Sequence, residues 1–320
     1  MSNTLEIFRA LADPTRLRIL ALLRAMELSI GELAQVLGQS QPRVSRHVKI
    51  LADSGIAQRR KEGSWVFLGL GDKARMAPLL AAIDSWSGPE QNDGWAVADM
   101  ARLAAVRGER ARAAEEYFNA HAAEWDEMRS LHVAESQVEA AIRASLGAAP
   151  IRRLVDIGTG TGRMIELFGE TAQSVIGIDR SPEMLRLARA KLARAGLEHV
   201  DLRQGDFHAL PLPSAGADTV IIHQVLHYAQ QPETALAEAA RLLAPGGRLL
   251  VVDFGPHEKE ELRTRHAHAR LGFTDAQIAG WFASAGLESK PPQPLEGGEL
   301  TVKLWLGQRP ATADMKVIPA

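Results

Sequence analysis

Short apolar runs alternate with helical patterns along the second half of the chain. Between the runs, apolar residues recur at the three- or four-residue spacing of a helix. Strands are predicted at 154–157, 175–178, within 199–213, within 217–228 with His223 at the strand end, at 248–254 and near 300–306. Helices are predicted after the first run and at 181–196, 232–243 and 274–285. Repeated strand–helix units predict a doubly wound α/β domain, with a parallel sheet covered by helices on both faces.

The first quarter of the chain has a different pattern, with short amphipathic helices followed by a hairpin. Asp13 and Pro14 are typical of a helix start. Further helices are expected at 29–37, 40–55 and 73–86, and two short strands flank Glu62 and Gly63. This order predicts a winged helix-turn-helix, and the simpler alternative is a small helical domain with a solvated charged face.

Polar and basic residues of the helix at 40–55 lie mostly outside its apolar stripe of Val44, Val48 and Leu51. Such a helix can enter the major groove of DNA, and basic residues at a wing can contact phosphates. The predicted DNA-binding residues are Ser40, Gln41, Arg43, Ser45, Arg46, His47, Lys49, Arg59, Arg60 and Lys61.

Residues 5–86 resemble the ArsR/SmtB family of bacterial repressors. The resemblance lies in the segments LADPTRLRIL, ELSIGELAQVLGQSQPRVSRHVKILADSGI and RRKEGSWVFLGL. It implies that the helix from Ser40 reads operator DNA, that the hairpin is the wing, and that the first and last helices build a homodimer. Arsenic-sensing members carry paired cysteines where this chain has Ser29, Ile30 and Gly31, and zinc-sensing members use histidine on the last helix, where this chain has none. Metal sensing therefore does not transfer.

Residues 154–180, LVDIGTGTGRMIELFGETAQSVIGIDR, predict a strand, a glycine turn, a helix and a second strand, with an acid near each strand end. Glycines permit positive φ and close approach of a ligand, and an acid about 20 residues after the turn can bind ribose hydroxyls. The turn reads G-x-G-x-G rather than the G-x-G-x-x-G of dinucleotide sites, and Asp156 precedes it. A carboxylate there disfavours a pyrophosphate and suits a cationic ligand. The simpler alternative is a tight turn without a ligand.

This stretch resembles motif I and the following strand of class I S-adenosylmethionine (SAM) methyltransferases, and the likeness extends over about 117–307. It implies that the glycine turn contacts the methionine part of SAM, that Asp179 holds the ribose, and that Asp206 and Phe207 contact adenine. The predicted ligand is SAM, or S-adenosylhomocysteine (SAH) as a bound effector. The predicted ligand-binding residues are Asp156, Gly158, Gly160, Gly162, Asp179, Arg180, Asp206, Phe207, His223 and Tyr117.

Between these domains, residues 95–129 are rich in alanine, arginine and glutamate, which predicts one long or once-broken helix, followed by another at 133–146. Tyr117 and Trp125 recur near helical spacing, together with Phe118 and His121. They are interpreted as core packing or, alternatively, as part of a lid over the SAM pocket. The predicted domains are a winged helix at 1–90, a helical connector at 91–147 and a methyltransferase domain at 148–320.

Histidines are concentrated at or after predicted strand ends, where ligands bind open parallel sheets. A histidine can serve as the general base that deprotonates a methyl acceptor. The catalytic candidates are His223, His227 and His266, although each alone also suits a polar loop. No metal site is expected, because His266 and His268 would share one side only within a strand.

Bulk composition fits a globular protein of about two domains, with 46% hydrophobic and 24% charged residues. The absence of cysteine excludes disulfides, thiolate metal sites and arsenic methylation by thiolate chemistry. Residues 1–90 hold 12 Lys and Arg against 9 Asp and Glu. Because this excess of positive charge is small, the prediction of DNA binding rests on local clusters of basic residues. No membrane span or secretion signal is expected, and the predicted location is the cytoplasm.

The favoured hypothesis is a dimeric transcription regulator that binds double-stranded operator DNA and couples SAM or SAH binding to operator affinity. The alternative is an active small-molecule methyltransferase whose N-terminal domain represses its own gene. In a third interpretation the winged helix is only a dimerisation module. For an active enzyme, the expected partner is a small-molecule methyl acceptor.

Overall fold

The computed structural model describes residues 2–62, 65–86, 94–121, 134–147, 149–197, 200–296 and 299–311. The chain forms two compact units, Met1–Arg112 and Ala113–Ala320. Within the described ranges, no helix is both long and apolar enough to cross a membrane.

The first unit is a helical domain with a small antiparallel sheet, as the pattern of the first quarter predicts. Its sheet has the order β1-β3-β2, and the β2–β3 hairpin is the predicted wing. The helices are α1 (Ser2–Leu11), α2 (Pro14–Ala25), α3 (Ile30–Leu37), α4 (Gln41–Asp53), α5 (Lys73–Trp86) and the first part of α6 (Gly94–His121). The strands are β1 (Leu28–Ser29), β2 (Ala57–Glu62) and β3 (Trp65–Leu70).

Local capping sets the helix starts in this unit. Asp13 accepts a hydrogen bond from the Arg16 N–H at 3.1 Å at the start of α2. Ser29 and Glu32 form a capping box at the start of α3, each side chain accepting from the other residue's N–H. Gly38 ends α3 at φ +64°, a conformation that favours glycine. These are residue types that favour helix ends, so the helix-turn-helix could be predicted from sequence.

Helix α6 runs without a break from Gly94 to His121. Leu103 and Val106 of α6 are buried in the core of the first unit. The first unit therefore extends beyond residue 90 and includes the first part of α6. The continuation to Arg129 and the aromatic Trp125 lie outside the described residues, and the three-part domain division remains a prediction.

The second unit is an α/β domain whose strands alternate with helices as predicted. Its strands are β4 (Arg153–Ile157), β5 (Ser174–Asp179), β6 (Asp201–Gln204), β7 (Ala217–His223), β8 (Leu243–Phe254), β9 (Glu288–Ser289), β10 (Gln293–Leu295) and β11 (Val302–Gln308). Its helices are α7 (Glu135–Leu146), α8 (Arg163–Phe168), α9 (Pro182–Arg194), α10 (Pro232–Leu242), α11 (Glu260–Arg265) and α12 (Asp275–Ser284), and a 3-10 turn covers Leu226–Tyr228.

The sheet of this unit is mixed rather than wholly parallel. Its order is β10-β11-β8-β7-β4-β5-β6, with β9 also paired to β11. Strands β6, β5, β4, β7 and β8 are parallel, whereas β11 pairs antiparallel with β8 and β10. The expectation of a parallel sheet is thus corrected at one edge, since the last strands return through a hairpin. The order reverses between β4 and β7, which is where ligands bind open α/β sheets.

Alternate residues of the central strands face the two helical layers. Leu154 and Val252 pack on one face in a cluster that includes Ile142 of α7 and Ile165 of α8. Val155 and Val251 pack on the other face in a cluster with α10 and α12. Burial on both faces leaves the carboxyl ends of the strands as the place for a site.

Leu103→Ala tests whether α6 belongs to the core of the first unit. Leu103 is 1% exposed, so truncation should lower the free energy of unfolding of the first unit by about 2–5 kcal/mol. Met100→Ala is the control on the same helix, because Met100 is 47% exposed and should cost little. Calorimetric unfolding of the full chain measures both. Equal small effects would show that α6 is not part of this core.

Candidate functional site

The glycine turn follows β4 and brings the backbone close to a neighbouring loop. Gly158 has φ +71°, and a Cβ atom there would lie 2.6 Å from a methyl group of Val225. Gly162 has φ +86° and caps the start of α8. Both positions favour glycine for conformation, and Gly158 requires it for space as well.

Asp156 lies beneath this turn and is 1% exposed. The Thr159 hydroxyl donates to its Oδ2 at 2.6 Å. The Asp156 carboxylate therefore stabilises the glycine turn through its hydrogen bond with Thr159. Its direct contact with a ligand remains a prediction.

Asp179 stands at the end of β5 and accepts hydrogen bonds from two neighbouring segments. The N–H of Gly160 donates to Oδ2 at 2.8 Å, and the N–H of Ser181 donates to Oδ1 at 2.8 Å. Burial raises the pKa of the Asp179 carboxyl, while the N–H groups of Ser181, Gly160 and Arg180 act in the opposite direction. This carboxylate joins the glycine turn to the first turn of α9.

A cleft of about 720 Å³, partly open to solvent, lies at the carboxyl ends of β4, β5 and β7. Six of the predicted ligand-binding residues line it together: Gly158, Gly160, Asp179, Arg180, Phe207 and His223. Besides Ile157 and Ile178 of the strands themselves, six further lining residues were not predicted as ligand-binding: Ser181, Met184, Gly205, Gln224, Val225 and Tyr228. Each of these follows closely on a strand end or opens α9, so the topology rather than a motif could have indicated them. The walls are mainly apolar, with Asp179 supplying a carboxylate.

The remaining predicted ligand-binding residues have other positions. Asp156 and Gly162 support the turn without lining the cleft. Asp206 is paired with His208, whose backbone N–H and ring Nδ1 both lie 2.9 Å from its Oδ1. The hydrogen bond from His208 is the main cause that holds the pKa of Asp206 at about 2. The side chain of Tyr117 lies outside the described residues.

The three candidate catalytic histidines have different positions relative to the cleft. His223 ends β7 and lines the cleft. His227 is buried, and its Nδ1 lies 2.8 Å from Oδ1 of the fully buried Asp253. His266 follows α11 and is not among the lining residues. Only His223 of these three therefore reaches the cleft, and a catalytic role for any of them remains a prediction.

The predicted DNA-binding helix α4 buries Val44, Val48 and Leu51 and presents its other side chains outward. Exposed residues of this set are Ser40, Gln41, Arg43, Arg46, Lys49 and, on β2, Arg59, whereas Ser45 is half-buried. His47 is also half-buried, with Nδ1 3.6 Å from Oδ1 of Asp13 at the start of α2. The side chains of Arg60 and Lys61 lie outside the described residues.

Comparison with known proteins identifies both units. Residues 13–59 match the family model described as "Bacterial regulatory protein, arsR family". Residues 155–251 match the model described as "Methyltransferase domain". The chain belongs to the methyltransferases and carries an ArsR-family helix-turn-helix. The methyltransferase fold and domain imply SAM or SAH as the ligand of the second unit.

Two curated relatives match the methyltransferase domain. A phosphatidylethanolamine N-methyltransferase of Cereibacter sphaeroides is 33% identical over 144 residues, which cover 44% of this chain and 68% of that protein. A demethylmenaquinone methyltransferase of Thermus thermophilus is 40% identical over 121 residues, 37% of this chain and 54% of that protein. The chain thus spans about half the length of the Thermus relative.

One solved structure supports the fold. A Haloferax volcanii methyltransferase, solved in complex with its methyltransferase activator, superposes with a TM-score of 0.53. It is 22% identical and covers 63% of this chain and 99% of its own chain. At that identity the likeness concerns the fold alone.

The residues around the cleft fit SAM or SAH. Gly158 and Gly160 line the cleft without side chains, and Asp179 offers a carboxylate in a mainly apolar cleft. A carboxylate can accept hydrogen bonds from two ribose hydroxyls, and apolar walls can pack against adenine.

SAH affinity is predicted to fall at acid pH through protonation of Asp179. Hydroxyl donors prefer the carboxylate form, so affinity is full above the pKa of the free protein and decreases as the pH falls through it. Because burial raises that pKa, the decrease should begin at a higher pH than for an exposed aspartate. Calorimetric titration with SAH across the acid range measures it.

Asp179→Asn is the matched variant. It should bind SAH more weakly than the wild type, and its SAH affinity should not fall at acid pH through residue 179. Asp218→Asn is its control, since Asp218 pairs with Arg153 at the opposite ends of the strands. An unchanged pH profile in Asp179→Asn would contradict the assignment of Asp179.

Proposed function

We propose that this protein is a DNA-binding transcription regulator whose methyltransferase domain binds SAM or SAH, and that ligand occupancy changes its affinity for operator DNA. The observation that carries the proposal is the pairing, in one chain, of an exposed basic recognition helix with a cleft built around Asp179. Each part has a defined chemical partner, and neither has a metal-sensing cysteine.

The DNA-reading face is the exposed side of α4. Gln41 can form paired hydrogen bonds with adenine, and Arg43 and Arg46 can do so with guanine in the major groove. Lys49 and the wing residue Arg59 are suited to phosphates, which position a protein on the duplex and make affinity depend on salt. The buried stripe on the opposite side fixes the direction of these side chains.

The ligand-binding face is the cleft at the strand ends. We assign Asp179 to the ribose, the turn at Gly158 and Gly160 to the methionine part, and Phe207 to packing on adenine. When bound, SAM supplies an electrophilic methyl group on a positively charged sulfur, whereas SAH carries a neutral sulfur there. The two ligands therefore differ at the sulfur, in its charge and in its methyl group, and a regulator can distinguish them there.

Coupling requires that the ligand bind two states of the protein with different affinities. Helix α6 is continuous from Gly94 to His121, whereas the two compact units divide at residue 112. Its first part is packed into the helix-turn-helix unit through Leu103 and Val106. We therefore assign α6 as the element whose position responds to the ligand.

A homodimer is part of the proposal. Leu5 and Phe8 of α1 are each 51% exposed, and Trp86 of α5 is 66% exposed. Large exposed apolar side chains favour a protein contact, and these two helices are those that the ArsR resemblance assigns to the dimer. A dimer would read an operator with two related half-sites.

SAM or SAH should change the affinity of the protein for DNA about fivefold or more, the lower range of known allosteric couplings. The probe is a duplex selected from a random pool by the wild-type protein, titrated by fluorescence anisotropy with and without each ligand. Asp179→Asn should lose the ligand effect at ligand concentrations that saturate the wild type, while keeping its ligand-free affinity.

Arg46→Ala is the complementary variant. It should bind DNA more weakly than the wild type, and its affinity for SAH, measured by calorimetry, should be unchanged. Identical wild-type titrations with no ligand, SAM and SAH would contradict coupling. Undiminished DNA binding by Arg46→Ala would favour a helix-turn-helix that serves only in dimerisation.

An active methyltransferase that regulates its own gene is the second candidate, and the position of His223 favours it. His223 lines the cleft at the end of β7. A histidine beside the ligand could accept the proton that an acceptor releases on methylation.

If the protein turns over, His223→Ala should lower the rate of methyl transfer by about 100-fold or more. The measurement is transfer of label from methyl-labelled SAM to the acceptors named for the relatives, a demethylmenaquinone and phosphatidylethanolamine. Asp218→Asn again serves as the control. Wild-type protein that binds SAM but labels neither acceptor would count against this candidate.

A further inference from the structure

Asp99 of α6 is a buried carboxylate that holds two arginines. Its side chain is 4% exposed. Arg18 of α2 donates from Nε to Oδ2 at 2.6 Å and from Nη2 to Oδ1 at 2.7 Å. Arg102, one turn further along α6, donates from Nη2 to Oδ1 at 2.6 Å. Such charge-assisted, two-pronged pairs fix geometry as well as charge.

Both arginines also cap α3, the first helix of the helix-turn-helix. The last four carbonyls of a helix have no partners within it. At the end of α3, the N–H groups of Gly38 and Gln39 donate to the carbonyls of Ala34 and Gln35. That local cap leaves the last two carbonyls of the helix to other donors.

The two arginines supply those donors. Arg18 donates from Nη2 to the Leu37 carbonyl at 3.3 Å, and Arg102 donates from Nε to the Val36 carbonyl. Positive charge is also favoured at a helix C-terminus by the helix dipole. All four carbonyls at the end of α3 are therefore satisfied, two of them by side chains that Asp99 holds in place.

The turn capped in this way leads directly into the recognition helix. Only Gly38, Gln39 and Ser40 separate the end of α3 from Gln41, the first residue of α4. Gln39 adds one further contact, from Nε2 to the Thr15 hydroxyl at 3.3 Å. The connection into α4 thus follows directly on two carbonyls of α3, which are held by Arg18 of α2 and Arg102 of α6.

We propose that Asp99 is a positioning residue for DNA recognition, and that the first part of α6 is a working component of the DNA-binding unit. Through Arg18 and Arg102, Asp99 fixes the end of α3 and hence the direction in which α4 presents its side chains. We call Asp99, Arg18 and Arg102 the arginine clamp. A shift of α6 would be transmitted to the recognition helix through this clamp. The DNA-binding consequence rests on the proposed function, whereas the ordering of the turn does not.

The chain offers a matched control in a second arginine–aspartate pair on the same helix. Arg24 of α2 donates from Nη1 and Nη2 to the two carboxylate oxygens of Asp84 of α5, at 2.7 and 2.9 Å. That pair is exposed, at 37% and 56%, and neither of these contacts involves α3. Asp99→Asn and Asp84→Asn make the same chemical change in the two settings.

The first test is amide hydrogen exchange on the full-length protein without DNA or ligand. Asp99→Asn should increase exchange about tenfold over residues 36–44, as expected when local opening becomes easier, while Asp84→Asn should not. Equal exchange in the two variants would overturn the proposal.

The second test measures DNA affinity and specificity by anisotropy. Asp99→Asn should weaken binding to the duplex selected by the wild type about tenfold, within the range of coupling energies between sites. Binding to a shuffled duplex should change much less, because phosphate contacts tolerate a misdirected helix. Loss of overall fold would weaken both duplexes equally, so the ratio separates positioning from stability. An unchanged ratio would overturn the DNA-binding part.

Arg102→Gln keeps the test decisive if Asp99→Asn fails to fold. The Arg102 side chain is 44% exposed, and its replacement leaves the Asp99–Arg18 pair intact. It should raise exchange at the same turn by a smaller factor, and no increase would overturn the proposal. If the wild-type protein selects no duplex from the random pool, the proposed function fails. The hydrogen-exchange result still shows whether Asp99, Arg18 and Arg102 order the end of α3.

Discussion

The carboxylate of Asp179 joins the segments that form the cleft. It accepts one hydrogen bond from the glycine turn at Gly160 and one from Ser181, which caps α9. Because β4 and β5 are parallel neighbours, the turn after one strand and the acid after the other meet at the same edge of the sheet. The spacing of about 20 residues in the sequence is the length of one helix and one strand. These two hydrogen bonds hold the carboxylate at the cleft, where we propose that it binds the ribose.

Sequence reasoning succeeded where structure is decided locally. Asp13, Ser29 and Gly38 are residues whose own chemistry begins or ends a helix, and the G-x-G-x-G turn requires backbone freedom at fixed places. The winged helix-turn-helix and the order of strands and helices follow from such signals. Six of the ten predicted ligand-binding residues line one cleft for the same reason, since they occupy consecutive strand ends.

Features that depend on distant partners could not be predicted in the same way. The antiparallel pairing of β11 with β8 joins segments about 50 residues apart, and nothing in either strand encodes the direction of its partner. His47 carries no local sign that it lies beside Asp13. The alanine- and arginine-rich composition of 95–129 likewise conceals that Leu103 and Asp99 belong to the first unit.

The arrangement gives α6 two roles in the account. It contributes apolar side chains to the core of the helix-turn-helix unit, and it holds the charged clamp at the end of α3. Buried ion pairs are costly to break, because removing one partner leaves a charge without compensation. A carboxylate that holds two arginines is therefore a sensitive point at which to control a recognition helix.

Coupling between the two binding sites is the central claim, and thermodynamic linkage provides the most direct test of it. If SAH alters DNA affinity by some factor, DNA must alter SAH affinity by the same factor. The measurement is calorimetric titration of the wild-type protein with SAH, alone and saturated with its selected duplex. The account predicts that the two dissociation constants differ about fivefold or more, by the factor found for DNA in the reciprocal titration. Equal dissociation constants would contradict it.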